Sequence, residues 1–257
     1  MEVELALQSV YAFILVMVRI VAFLVIAPPF NSTSLPLRVK GMMAAAIALP
    51  LTPQFIGDVA AITSLANLVT AVVWQIIAGL SVGLVVLILF SAVQMAGMYI
   101  DYFSMFAMSA MLDPVTGSQT SIFGRIYNWI AVALLFASGG HLLLLRGLLQ
   151  TFEIIPAAAI DMGRIAEILV GNLDRMVMSA LQIGAPILAV LFLTDLSLGL
   201  VSRAVPSLNV FQLAFPVKTL LVVSLATLAV AMMPGAVETV IGGILRQFPA
   251  VLDSVGG

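Results

Sequence analysis

The chain has 257 residues, 63% of them hydrophobic and 9% charged, with a mean hydropathy of +1.23 and a net charge of −2. A soluble globular domain carries roughly 25% charged residues, so this composition describes an integral membrane protein and offers no basic footprint for nucleic acid. Cysteine is absent and His141 is the only histidine, which excludes disulfides, thiolate chemistry and multi-histidine metal sites.

In chain order, Glu2 and Glu4 stand at the N-terminus and no basic residue precedes Arg19. A secretory signal opens on a positive region, so the first apolar stretch, Leu5 to Ala27, reads as a retained helix. Pro28-Pro29 ends it, and residues 31–34 form a loop. Pro36 suits a helix start. The run Gly41 to Leu51 is too short to span, and Pro50 and Pro53 stop it. Thr63 to Ile100 is apolar without proline and reads as one long helix. Asp101 to Ser121 is more polar and broken at Pro114 and Gly117. Ile122 to Leu149 is apolar again. Thr151 to Arg175 carries mixed charge and reads as an extramembrane connection. Met176 to Val201 and Val210 to Met233 are apolar, and Pro234 to the end reads as a looser amphipathic helix. A spanning helix needs about 20 apolar residues, so about six long apolar helices are expected, in an all-α polytopic membrane fold. Their lengths favour helix over strand.

Orientation is not decided by loop charge. Arg38 and Lys40 pull the first loop inward. Continued alternation then places Arg125 and Arg203 inside but Arg146, Arg164, Arg175 and Arg246 outside. That near tie implies either a short segment that does not span or helices that do not cross a bilayer conventionally.

Four charges, Arg19, Asp195, Arg203 and Lys218, lie within or beside apolar runs, where a midplane charge costs roughly a few to over ten kcal/mol. They mark either an ion pathway or contacts between helices or subunits. A proton relay usually carries more intramembrane carboxylates than one, which favours contacts. Asp195 and Arg203 are eight residues apart, about 80° around a helix, and do not pair along it. The polar break at Ser202, Arg203, Pro206, Ser207 and Asn209 is tolerable only where protein or water surrounds it. Met105, Met108 and Met111 recur every three residues beside the Pro114–Gly117 break. Deformable Met side chains fill core gaps or form a soft apolar constriction that closes a pore. Gly79 and Gly83 form a GxxxG pattern that permits close helix approach. His141 follows Gly139-Gly140 without a carboxylate or nucleophile nearby in sequence and reads as structural. No paired carboxylates suit acid–base catalysis, and no ATP-binding loop is present.

Taken in order, Arg19, Pro28, Pro36 and Arg38, then Asp113-Pro114 and Gly117, then Phe136 with Gly139-Gly140-His141, then Thr151-Phe152 and Pro156, and finally Arg203, Pro206, Asn209, Phe211, Phe215-Pro216 and Lys218 resemble the FliR family. These are flagellar export-gate components related to the T component of injectisomes. The resemblance covers nearly the whole chain. It implies a non-enzymatic, cofactor-free subunit, present once in a helical gate with P-type and Q-type subunits and neighbouring export-apparatus membrane proteins. That gate would lie in the bacterial inner membrane at the flagellar basal body and pass unfolded polypeptides. It further implies a P-like helical region over 1–175, with a plug loop at about 101–121, and a Q-like hairpin over 176–257 turning at about 203–209. The resemblance places Met105, Phe106, Met108, Met111, Leu112, Asp113 and Pro114 in the plug. The intramembrane charges and the polar break, read as contacts, set Arg19, Asp195, Arg203, Pro206, Asn209, Phe211, Phe215, Pro216 and Lys218 at subunit interfaces. Some relatives carry Phe where Met108 and Met111 stand, and Thr151 replaces a common Ser. The alternative is a self-contained secondary transporter with Asp195 and Arg19 at its substrate site, which would show repeated halves with matching helix breaks. Breaks near Pro28–Pro36 and Pro206 exist, without half-to-half similarity. An intramembrane enzyme is disfavoured by the missing catalytic pairs.

Overall fold

The computed structural model describes residues 2–32, 35–57, 59, 62, 64–106, 121–154, 162–207 and 209–255. These form helices α1 (Glu2–Ile26), α2 (Leu37–Leu51), a 3-10 turn (Thr52–Phe55), α3 (Leu65–Phe103), α4 (Ile122–Ala137), α5 (Gly140–Ile154), α6 (Met162–Ala204) and α7 (Val210–Val255), with no strand among the described residues. Four helices are long and apolar enough to cross a membrane among the described residues, or five if the bent pair α4–α5 counts as one span, where about six were expected. The all-α membrane reading holds. The difference in number arises because apolar runs do not reveal where a helix bends or continues.

Several boundaries differ from the sequence reading. The single stretch Ile122 to Leu149 is split at Ser138 and Gly139. Gly139 sits at φ +72°, a left-handed turn that glycine adopts without a Cβ clash, and Ser138 N–H closes α4 on the Leu134 carbonyl. The stretch Thr151 to Arg175 is largely helical, because α5 runs to Ile154 and α6 begins at Met162. Exposed Arg164 and Glu167 beside buried Ile165 are compatible with a helix at a polar boundary. Likewise α7 continues through Pro216 and Pro234 instead of loosening after Met233.

Helices α3, α6 and α7 have 39, 43 and 46 residues. At about 1.5 Å per residue each is roughly twice the ~30 Å hydrocarbon thickness.

The chain divides into two compact units, 1–89 with 139–173 and 242–257, and 90–138 with 174–241. In the first, Ala12 and Leu15 of α1 pack with Val59, which precedes α3, and with Ala71 of α3, bordered by Tyr11, Phe55, Leu68 and Val72. Pro36 caps α2 at φ −58°, and the Thr52 hydroxyl takes up the Ala48 carbonyl where Pro50 and Pro53 tighten the chain into the 3-10 turn. In the second, α3 and α4 meet backbone to backbone. A Cβ on Gly97 would stand 2.5 Å from the Phe123 carbonyl oxygen and 2.6 Å from Gly124 N.

Candidate functional site

In the first unit, the Arg19 side chain is 2% exposed. Its Nε donates to Gln75 Oε1 at 2.5 Å, and one terminal nitrogen donates to the Thr151 carbonyl at 2.9 Å. Its guanidinium lies 4.3 Å from the centre of the Phe152 ring, a cation–π contact, and that ring also meets Phe55. Arg19 is thus enclosed by α1, α3 and α5 of its own chain. These contacts make Arg19 an internal staple, since a planar five-donor group is most readily satisfied by several helices at once. Gly79 makes this possible. A Cβ there would collide with the Arg19 carbonyl oxygen and lie 2.8 Å from Ala22 Cβ, while one on Gly83 would meet Ile26 Cγ2. Gln75 and Gly79 are one helical turn apart, so the glycine that admits α1 and the amide that binds its arginine share a face.

In the second unit, the end of α3 and the start of α4 are locked together. The buried Asp101 Oδ2 accepts from the Ser121 hydroxyl, from Phe123 N–H at 3.0 Å and from Gly124 N–H at 3.4 Å. Ser121 Oγ itself accepts from Gly124 N–H at 2.8 Å, which caps α4. The buried Ser104 hydroxyl donates to the Asp101 carbonyl at 3.2 Å. Met105 then takes φ +69°, uncommon for a residue other than glycine, and ends the helix. The Phe106 ring rests 5.8 Å from that of Phe123. Of the expected plug residues, Met105 and Phe106 are therefore placed. Met108, Met111, Leu112, Asp113 and Pro114 lie outside the described residues.

Lys218 is 5% exposed. Its ammonium donates to the Phe103 carbonyl at 2.9 Å and pairs with Asp195 Oδ1 at 2.6 Å. Like Arg19, it is turned into its own chain, where it forms an internal pair. Asp195 finds its cation across the hairpin instead of along its own helix. The remaining expected interface residues are at the surface. Arg203, Pro206, Asn209 and Pro216 are exposed, Phe211 is 63% and Phe215 40% exposed, and Asn209 caps α7 by accepting from Gln212 N–H.

Sequence reasoning missed Gln75, Gly97, Asp101 and Ser121 as partners. An isolated amide inside an apolar helix and a Ser immediately before a helix were the available signals. For Gly97 there was none.

Long apolar helices stapled by buried Arg and Lys groups, with an aromatic surface beside a polar turn, define a polytopic helical membrane subunit. Residues 10–244 match the bacterial export proteins, family 1. The chain is 32% identical over 211 residues to the flagellar biosynthetic protein FliR of Bacillus subtilis, covering 80% of this chain and 81% of that one. It is 27% identical over 219 residues to FliR of Escherichia coli, covering 85% and 82%. It is 33% identical over 148 residues to the Yop proteins translocation protein T of Yersinia pestis, covering 56% and 57%. The chain belongs to the bacterial export protein family 1, the family of FliR, and is a membrane component of a type III export apparatus.

Proposed function

We propose that the chain is a non-enzymatic channel subunit of the flagellar export gate in the bacterial inner membrane. It shares with P-type and Q-type subunits a pore for unfolded flagellar polypeptides and supplies part of its closure. The observation that carries this reading is the match over residues 10–244, together with likeness to FliR proteins across four-fifths of their length. Helices of 39 to 46 residues support it, since hydrocarbon alone does not cover them and neighbouring chains can. The pairing of Asp195 with Lys218 and the enclosure of Arg19 by Gln75, Thr151 and Phe152 weigh against the secondary-transporter alternative.

In this reading Met105, Phe106, Met108, Met111, Leu112, Asp113 and Pro114 belong to the plug, and the segment Met105 to Leu112 seals the resting pore. Arg203, Pro206, Asn209, Phe211, Phe215 and Pro216 meet the Q-type partner. Deleting Met105 to Leu112 in the expressed gate should make cells leak ions. Unchanged conductance through the assembled gate would show that the segment does not seal it.

A further inference from the structure

We propose that Lys218 is the positioning residue of the gate: by gripping the end of α3 it sets where Met105 and Phe106 stand, and Asp195 holds it there. The proposal rests on the gate reading above for its consequence, though not for its geometry. The last carbonyls of a helix have no donor within the helix, and a cation at that end is favoured by the helix dipole. At α3 the cation comes from 115 residues further on, as Lys218 Nζ meets the Phe103 oxygen at 2.9 Å. The Lys218 side chain is 6% exposed, so its charge needs a close counter-ion, and Asp195 provides one at 2.6 Å while remaining 45% exposed itself.

The placement follows from the hairpin. Asp195 lies nine residues before the end of α6 at Ala204, and Lys218 eight after the start of α7 at Val210. At about 1.5 Å per residue the two stand nearly level, roughly 12–14 Å from the turn. The C-terminus of α3 is docked at that level. Just beyond it Met105 holds φ +69°, a conformation that persists only where the surroundings impose it. Ser104, through Ile100 and Asp101, restrains the chain from inside α3, and Lys218 restrains it from outside. An ammonium has three protons, and two are used inside this chain at the root of the candidate seal. Substitution at Lys218 therefore acts first on that root and not on partner binding.

The chain contains no cysteine, so a single Met105→Cys in the complete gate complex reports the exposure of this point. Lys218→Met should raise its maleimide labelling rate at least fivefold and raise resting ion leak, at unchanged complex yield. Lys218→Arg, which keeps a charged donor, should stay within twofold of the parent, and Asp195→Asn should fall between. A control cysteine at exposed Ser224 should not respond. A labelling rate within twofold in Lys218→Met overturns the proposal, as does an equal rise at the Ser224 control, which would mean general loosening. If Lys218→Met does not assemble, Asp195→Asn decides by the same two rates, and parental labelling in it overturns the proposal. Faster labelling without leak overturns the link to closure when deletion of Met105 to Leu112 does leak. If that deletion does not leak either, the pore reading has failed, and the labelling rates still decide whether Lys218 positions the end of α3.

Discussion

Arg19 gives its Nε proton to the side-chain oxygen of Gln75, 56 residues later, at 2.5 Å, inside a packed group of helices. The contact joins α1 to α3, and the Thr151 carbonyl and the Phe152 ring bring in α5. Lysine keeps the charge but not the fork. Arg19→Lys leaves the Gln75 or Thr151 oxygen unmet, and each buried unmet group costs about 1–3 kcal/mol. The unfolding midpoint of the purified protein in detergent should fall accordingly. A midpoint equal to the parent's would mean that this staple adds nothing to stability.

The glycines rank by what their missing Cβ would strike. Gly97→Ala drives a methyl into the Phe123–Gly124 backbone, and Gly79→Ala into the Arg19 carbonyl and Ala22. Gly83→Ala meets the Cγ2 methyl of Ile26, a side-chain group that yields only through χ1, and Gly41→Ala meets nothing within 4 Å. Overpacking of a rigid contact costs about 1–3 kcal/mol. The expected order of loss in membrane accumulation is Gly97, then Gly79, then Gly83, with Gly41 neutral. Equal tolerance of all four would contradict the close helix approach at Gly79 and Gly97.

Asp101 is the hinge pin between α3 and α4. Asp101→Ala removes an acceptor shared by Ser121, Phe123 and Gly124, and loss of such a cap costs about 1 kcal/mol or somewhat more. Asp101→Asn retains one accepting oxygen and should keep most of the stability. Secreted flagellar protein, measured against the amount of subunit in the membrane, should follow the order parent, Asn, Ala. An alanine variant that secretes normally would place the Asp101 cap outside the working gate.

At the hairpin turn, Arg203 is exposed. Arg203→Ala should leave the chain's own stability within about 0.5 kcal/mol, as surface changes usually do. It should also lower the Q-type partner recovered with the complex at least threefold on a native gel. A complete complex with normal secretion would remove Arg203 from the interface.

Composition alone made this a membrane chain, the lengths of the apolar runs made it helical, and those runs located α1, most of α3 and the apolar parts of α6 and α7. The proline–serine–asparagine turn after Arg203 was also legible, because breaks in hydropathy and backbone-restricting residues are local properties of a few consecutive positions. Gly79 and Gly83 were visible as a pattern, although the pattern did not say which helix they admit. Helical continuation through Thr151–Arg175 was not legible, because polarity reports on the surrounding solvent and not on whether the backbone stays helical.

The destinations of the charges were decided only by tertiary structure. From the sequence Arg19, Asp195 and Lys218 were equally suited to subunit contacts. In the fold Arg19 closes on Gln75 and on Thr151, 132 residues away, and Lys218 closes on Asp195 and on Phe103. A buried charge takes whichever donors and acceptors packing brings within about 3 Å, and that choice is a property of helices meeting in space, which no local pattern of residues encodes.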